Sequence, residues 1–371
     1  FNELVKCGCA EKTGTDTYEI INETQKNYSA GIREEFTKVP EIEFFRESLD
    51  YMDLCRKNIV SILRGEETIL NLLFPKGEWN VADNLYKTNP IAKYYNSIVS
   101  SVINKFTDVN SDRKVNILEA GAGVGGTTAA VLKSLKDKNV AYTFTDLSTF
   151  FTDKAKEVYK EYSFIDYNLF DIDVYPQEQG YPLEGYDIIL IANAMHDAKN
   201  AKFTLHNLNN MLTPNGILII LETTSNTKLQ MVTSSLIDGF SNYNDFRLEQ
   251  NAPMLSAEKW KQLLIEEGYK TATAFPDENS EAALYGQSVI VAQKASLKNF
   301  LSDENIDEIK KQSGEMLPKY MMPSQIIQMD KFPLSANGKI TQKLFPKPIV
   351  NTSKETAIVK PSTETEQKLY E

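Results

Sequence analysis

Residues 117–127 read Ile-Leu-Glu-Ala-Gly-Ala-Gly-Val-Gly-Gly-Thr, an apolar run that breaks into glycines at 121, 123, 125 and 126 and opens into the helix-like stretch 128–134. A strand that ends in closely spaced glycines lets the backbone approach a ligand where any Cβ would clash. It also aims the free N–H groups of the following helix at that ligand. The next apolar stretch, 141–144, is closed by Asp146, followed by Leu147 and Ser148. An acid at the tip of the second strand of a βαβ unit is where a ribose diol is held.

A glycine turn alone also serves ordinary strand-to-helix packing, so the rest of the chain matters. Asp171 and Ile172 follow a third candidate strand, and the apolar runs 186–193 and 216–222 come next, the second ending in Glu222. Uninterrupted Ile/Leu/Val runs of strand length, spaced by helical segments, are the pattern of a parallel sheet covered on both faces. A helix-like stretch at 229–240, a charged turn at 245–249, an amphipathic helix at 256–268 and strands at 271–275 and 287–292 complete the unit. Residues 108–295 are therefore expected to form a doubly wound, mostly parallel α/β sheet closed by an antiparallel pair.

Residues 1–107 are polar and helix-rich in pattern, with Phe44, Phe45, Leu49, Met52, Cys55, Ile59, Ile62 and Leu63 at helical spacing, and read as a helical cap. After a turn at 72–77, Tyr86, Asn89, Tyr94, Tyr95 and Asn96 form an aromatic and amide cluster on an expected helix. Such a cluster serves either core packing or substrate contact.

A chain of 371 residues holds one large domain or about two to three ordinary ones. Its 42% hydrophobic residues include no run of membrane-spanning length, so a cytoplasmic protein without a membrane partner is expected. With 40 Lys plus Arg against 51 Asp plus Glu, the formal charge is -11, which argues against nucleic acid as a partner. Cys7, Cys9 and Cys55 lack a second metal-spaced pair and read as structural thiols of a reducing cytosol, with no metal site expected. The chain opens on Phe1 with no signal-type segment after it, as expected of a piece of a longer polypeptide.

From residue 296 the character changes. A charged helix is expected at 298–311, and 350–371 has linker composition before a final helical pattern. Residues 317–346 resemble the end of the small subdomain of adenylation domains in nonribosomal peptide synthetases, in Leu317-Pro318-x-Tyr320-Met321-x-Pro323 and in Pro333-Leu334-x-x-Asn337-Gly338-Lys339. They depart from it at Thr341 and Gln342, where that family usually has Asp-Arg. The resemblance implies a partial adenylation subdomain over 296–349. Lys339 would match the lysine that orients the acyl-adenylate carboxylate, although without the large subdomain it cannot complete such a site. Residues 362–371 resemble the entry to a carrier-protein domain.

A second resemblance covers residues 40 to 295. The stretches 117–128, 142–148 with Phe150 and Phe151, Asp171-Ile172 with Gln179-Gly180, 192–196 and 221–223 are similar to the class I methyltransferase domains of polyketide and nonribosomal peptide synthases, particularly the carbon-methylating type. That resemblance implies a Rossmann-like fold and S-adenosylmethionine as cofactor. It also implies a carrier-protein domain with a phosphopantetheine-tethered substrate, and neighbouring synthetase domains, as partners.

On that reading Gly121, Gly123 and Gly125 receive the methionine part of the cofactor, Asp146 and Leu147 its ribose side, and Asp171 and Ile172 its adenine. Glu119 and Asn193 would face the sulfonium and amino group. A nicotinamide dinucleotide fold shares the turn and the acid, but no second pyrophosphate-type turn accompanies them.

Only two histidines occur. His196 directly follows the fourth strand and Glu222 ends the next, so their side chains can meet across adjacent strand ends. A carboxylate on an imidazole fixes its tautomer and raises its basicity, which suits proton abstraction, whereas the plain alternative is a structural bond. His206 lies inside a helical pattern and reads as structural. Sulfonium is already a good leaving group, so a base points to a nucleophile that needs help. A carbon next to a thioester carbonyl is such a nucleophile, with Tyr86, Tyr95 and Asn96 as substrate contacts. The same pair would serve an epimerase of a carrier-bound aminoacyl or thiazolinyl group, and nitrogen or oxygen acceptors stay open.

Overall fold

The computed structural model describes residues 5, 10–15, 17–21, 40–225, 230, 232–237, 240, 242–250, 253–295, 303–323, 325–327, 329 and 340–345. Cys7, Cys9, Lys339, the linker from 350 and the expected carrier entry at 362–371 lie outside them. The chain divides into two units, 1–295 and 296–371.

The first unit is built on a seven-stranded sheet of order β5-β4-β3-β6-β7-β9-β8. Its strands are β3 (Val115–Ala120), β4 (Val140–Asp146), β5 (Ile165–Leu169), β6 (Tyr186–Ala192), β7 (Leu212–Thr223), β8 (Tyr269–Phe275) and β9 (Gln287–Lys294). Strands β5 through β7 pair in parallel, and β9 runs antiparallel between β7 and β8. The order reverses between β3 and β6, the switch point at which open α/β sheets bind ligands outside their carboxyl ends.

Side chains alternate across the sheet, so a continuous apolar run feeds two cores at once. Leu118, Ile189, Ile191, Leu218 and Ile220 face α7 (Ala201–Met211) and α9 (Ala257–Glu266), where Trp260, Leu263 and Leu264 complete one layer. Ile117, Ile188, Leu190, Ile217 and Ile219 share the other core with α4 (Pro90–Val109), α5 (Gly126–Leu135) and α6 (Thr149–Val158). Helix α4 begins where Asn89 Oδ1 accepts the Ala92 N–H at 2.9 Å, with Pro90 at the first helical position. It buries Tyr95, Asn96, Val99, Ile103 and Thr107, which makes it a layer of the sheet core as well as the last helix before β3.

Ahead of it lie α1 (Arg46–Leu63), α2 (Ile69–Leu73) and α3 (Asn80–Asp83), the last continued by a wider turn at Asn84–Thr88. Tyr51, Cys55, Ile69, Leu72, Leu73 and Ala82 pack with Val124 of the glycine turn, so the cap sits on that turn. The stripe expected on α1 is narrower in the structure. Phe44, in the 3-10 segment Pro40–Phe45 ahead of the helix, and Leu63 at its end are exposed, and the helix presents Tyr51 and Cys55, one turn apart, to the core. The N-terminal part also holds a hairpin, β1 (Ala10–Lys12) with β2 (Tyr18–Ile20), in a region expected to be helical. The charged turn at 245–249 contains a short helix, α8 (Arg247–Gln250).

In the second unit, the described residues comprise α10 (Asp303–Met316) and single 3-10 turns at Lys319–Met321 and Gln342–Leu344. No helix among the described residues is long and apolar enough to cross a membrane.

Candidate active site

A cavity of about 390 Å³ opens at the carboxyl ends of β3, β6 and β7 under the cap, within the usual size range of small-molecule sites. Of the residues expected from sequence, Gly121, Gly123, Asn193, His196, Tyr86, Tyr95 and Asn96 line it. Glu119, Gly125, Asp146, Leu147, Asp171, Ile172 and Glu222 are not among its lining residues.

The four glycines of the turn do different things. At Gly123, with φ +53°, a Cβ would meet nothing within 4 Å, so this residue leaves a bare, open patch of backbone. A Cβ on Gly121 would sit 2.8 Å from Ala194 Cβ, and one on Gly125 would sit 2.6 Å from the Tyr159 hydroxyl. On Gly126 it would strike the Tyr86 carbonyl at 2.5 Å. Three of the four are therefore required by packing, and Gly123 alone has open space beside its Cα.

Asp146 closes β4 beside Gly123. Its Oδ2 accepts the Gly123 N–H and its Oδ1 the Ser148 N–H, both at 2.9 Å. Burial raises its pKa above 3.8, although those N–H groups favour the ionised form. Leu147 is exposed and Ile172 half-buried against the core. Asp171 is held by its own loop, its N–H donating to Gln179 Oε1 at 2.7 Å and its Oδ1 accepting from Asp173 N–H at 2.9 Å.

Glu119 differs from expectation. Its carboxylate turns away from the cavity and accepts from the Thr128 and Tyr142 hydroxyls, each at 2.6 Å. Burial raises its pKa to about 7 against those bonds. In a strand buried on both faces, this position points under the turn instead of over it. Asn96 is likewise engaged internally, donating to the Tyr86 carbonyl and accepting from Thr127 Oγ1, both at 2.9 Å. Its amide thus fastens the cap turn to the start of α5. Tyr95 donates to the Ala282 carbonyl at 3.2 Å. Burial pushes its phenol up to about 12, and the Tyr86 phenol is raised by burial and by the charges of Asp197 and Glu222.

His196 and Glu222 meet as the strand order requires. Asn193, in the left-handed region at φ +51°, ends β6 with its N–H on the Leu221 carbonyl at 2.7 Å and turns the chain into a single 3-10 turn at Met195–Asp197. His196 Nδ1 lies 2.9 and 3.0 Å from the two Glu222 oxygens, and the His196 backbone N–H donates to Oε2 at 3.2 Å. Since a carboxylate only accepts, Nδ1 carries the proton, and Nε2 is left as the acceptor, 3.6 Å from Asp197 Oδ1, on a residue that lines the cavity. Burial pushes the imidazolium down, but the charge and hydrogen bond of Glu222, with Asp197, outweigh it and hold the pKa above 6.5. Phe240 packs on the ring, centroids 4.5 Å apart.

Two contributors gave no sequence signal of their role. Phe240 arrives from the stretch after β7, and Arg247, fully buried, donates Nη1 to the His196 carbonyl at 3.0 Å. His206 pairs with Glu267 at 3.6 Å in α7, away from the cavity lining.

The strand order, the open backbone at Gly123 and the acid-tipped β4 are those of an S-adenosylmethionine-dependent methyltransferase. A family described as "Methyltransferase domain" matches residues 118–218. The CurJ carbon methyltransferase is 33% identical, with a TM-score of 0.72 over 80% of this chain and 78% of its own. The chain belongs to that carbon methyltransferase family. The polyketide synthase ThaG of Burkholderia thailandensis is 33% identical over 247 residues, 65% of this chain. The polyketide synthase PksR of Bacillus subtilis is 30% identical over 246 residues, 64% of this chain. This chain spans 4% of ThaG and 10% of PksR.

The residues present fit S-adenosylmethionine. Gly123 offers bare backbone at the cavity wall, and the Asp146 carboxylate, with acceptor capacity beyond its two N–H bonds, stands at the neighbouring strand tip.

Proposed function

We propose that this chain methylates the α-carbon of an acyl or aminoacyl thioester carried on the phosphopantetheine of a carrier-protein domain, within a polyketide or nonribosomal peptide synthase. The observation that carries this reading is the His196–Glu222 pair at the cavity wall, its Nδ1 held by the carboxylate and its Nε2 left free of Glu222. In this reading Gly121, Gly123 and Asn193 hold the methionine part of the cofactor, Asp146 and Leu147 its ribose side, and Asp171 and Ile172 the adenine. Gly125 and Glu119 support the turn from beneath, through Tyr159 and Thr128. S-adenosylmethionine, when bound, supplies an electrophilic methyl group on a sulfonium.

The residues of the chain act on the acceptor. Tyr86 and Tyr95 flank the acyl group, with Asn96 holding Tyr86 in place through its carbonyl. His196 Nε2 takes the α-proton, Glu222 stabilises the imidazolium that forms, and the electron pair left on carbon is shared with the thioester carbonyl. Nitrogen and oxygen acceptors need less of such a base, so the pair favours carbon. Residues 296–349 are read, from their resemblance alone, as part of an adenylation subdomain.

His196→Ala tests the reading. Methyl transfer to an acyl-pantetheine thioester, followed by intact mass, should fall by a factor of about 10²–10⁴ with cofactor binding retained. Transfer at the wild-type rate would overturn it, and α-deuterium exchange without any methyl gain would favour epimerisation instead.

A further inference from the structure

We propose that Arg247 is a positioning residue for His196, gripping the His196 carbonyl while Glu222 grips its N–H, so that Nε2 meets the cavity in one orientation. The proposal deepens the reading of His196 as the base and rests on it. Arg247 is 0% exposed. Charged side chains are almost never that deep unless paired, and a buried ion pair often gives no net stability over packed apolar groups. What this guanidinium adds is geometry.

Its Nε donates to Asp245 Oδ1 at 2.9 Å, its Nη1 to the His196 carbonyl at 3.0 Å, and its Nη2 to the Ala198 carbonyl. The Tyr243 ring lies under it, 5.0 Å from the guanidinium carbon. A planar fork can bridge a carboxylate and two carbonyls at once, which a lysine ammonium on a flexible stem cannot. Asp245 extends the hold by accepting the Ala201 N–H with Oδ2 at 2.8 Å, at the first turn of α7. Between these points the Lys199 N–H donates to Asp173 Oδ1 and the Lys199 carbonyl accepts from Asn244 N–H, each at 2.8 Å. The loop that carries His196 has only one turn of regular structure, so these polar ties hold its backbone in register. At His196 itself the arrangement is polarised, with an anion on its N–H and a cation on its carbonyl.

The groups facing His196 are Glu222 from β7, Asp197 from its own turn, Arg247 from α8 and the Tyr86 phenol from the cap, with Asp173 beyond Asp197. Arg247 is the cation among them, and its charge opposes the two carboxylates on the imidazole.

The chain has two histidines, so the imidazole nitrogen resonances of the intact protein form two sets, and His206→Gln assigns them. In the native protein His196 should give one Nδ1–H tautomer. Arg247→Lys keeps a cation but loses the fork, so the His196 signals should broaden or double. The kcat should fall about tenfold to a hundredfold, as small misplacements of a reacting group do, with KM and cofactor affinity little changed. Arg247→Met should do the same and also move the His196 titration midpoint upward, because a neighbouring cation is lost. Should Arg247→Met fail to fold, Asp245→Asn releases the guanidinium from its anchor and should reproduce the broadening and the loss of kcat.

A purely structural role predicts a lower melting temperature with a single tautomer, an unmoved midpoint and normal kcat per folded molecule, and that result would overturn the proposal. The base assignment is judged separately by His196→Ala. Normal transfer in His196→Ala alongside a disturbed His196 tautomer in Arg247→Lys would reject the base and keep the positioning.

Discussion

Glu222→Gln separates two jobs that one carboxylate performs. Its Oε1 accepts from His196 Nδ1 at 2.9 Å and from the Thr223 N–H at 2.8 Å, and its Oε2 from His196 Nδ1 at 3.0 Å and the His196 N–H at 3.2 Å. Both oxygens therefore face backbone donors. An amide NH₂ in place of either one points a donor at a donor, against Thr223 in one orientation and His196 in the other. A buried donor left without its partner costs about 1–3 kcal/mol, so if the ordered dyad is needed for proton transfer, the rate falls by about 5- to 150-fold. An NH₂ directed at Nδ1 also selects the tautomer protonated on Nε2, which cannot act as a base.

The second job is electrostatic. A base works in its neutral form, so wild-type transfer should rise with pH through the pKa of His196, which Glu222 holds above 6.5 against burial. With a neutral amide the burial remains and the attraction is lost, so the ascending limb should move to lower pH while its plateau drops. Stability should follow the same sign. A histidine whose folded pKa is raised contributes stability that is complete below 6.5 and lost as pH rises through the folded value, and Glu222→Gln should flatten that dependence. Single-turnover methyl transfer at saturating cofactor, measured across a pH series, reads both effects. A variant with the wild-type plateau and an unmoved limb, or a limb displaced to higher pH, would refute the reasoning.

The His196–Glu222 pair was legible in the sequence because a parallel sheet sets successive carboxyl ends side by side, and two polar residues closing consecutive apolar runs must then be neighbours. The glycine turn was legible as a turn, but not its division of labour. Which glycine stands open depends on Ala194, Tyr159 and Tyr86, all distant in sequence. Glu119 was misread because β3 is buried on both faces, so alternation does not tell which side chain looks over the turn and which lies beneath it. Asn96 shows the same limit: a polar residue on a helix signals a function, but not that its amide is already engaged by Tyr86 and Thr127. Arg247 sits in an acidic, solvated-looking stretch, and its burial is decided by two carbonyls some fifty positions away.

Other substitutions test the remaining assignments. Gly123→Ala should weaken cofactor binding in calorimetry while costing the free protein only about 1–2 kcal/mol of left-handed strain. Gly126→Ala should instead lower thermal stability by about 1–3 kcal/mol, because its Cβ collides with the Tyr86 carbonyl that Asn96 holds. Asp146→Ala should weaken S-adenosylmethionine binding by about 1.5–3 kcal/mol, and unchanged affinity would remove it from the ribose site. Glu119→Gln addresses the buried carboxyl beneath the turn, whose pKa rises from 4.5 to about 7 because of burial. Between those values the folded state holds a proton that the unfolded chain has released, so wild-type stability should fall as pH rises through that window, by about 3 kcal/mol at most. Glutamine can still accept from Thr128 and Tyr142 but cannot ionise, so thermal melts of Glu119→Gln should lack that decline. Parallel pH profiles for the two proteins would show that Glu119 is ionised at no cost and that its burial is overcome by the two hydroxyl bonds.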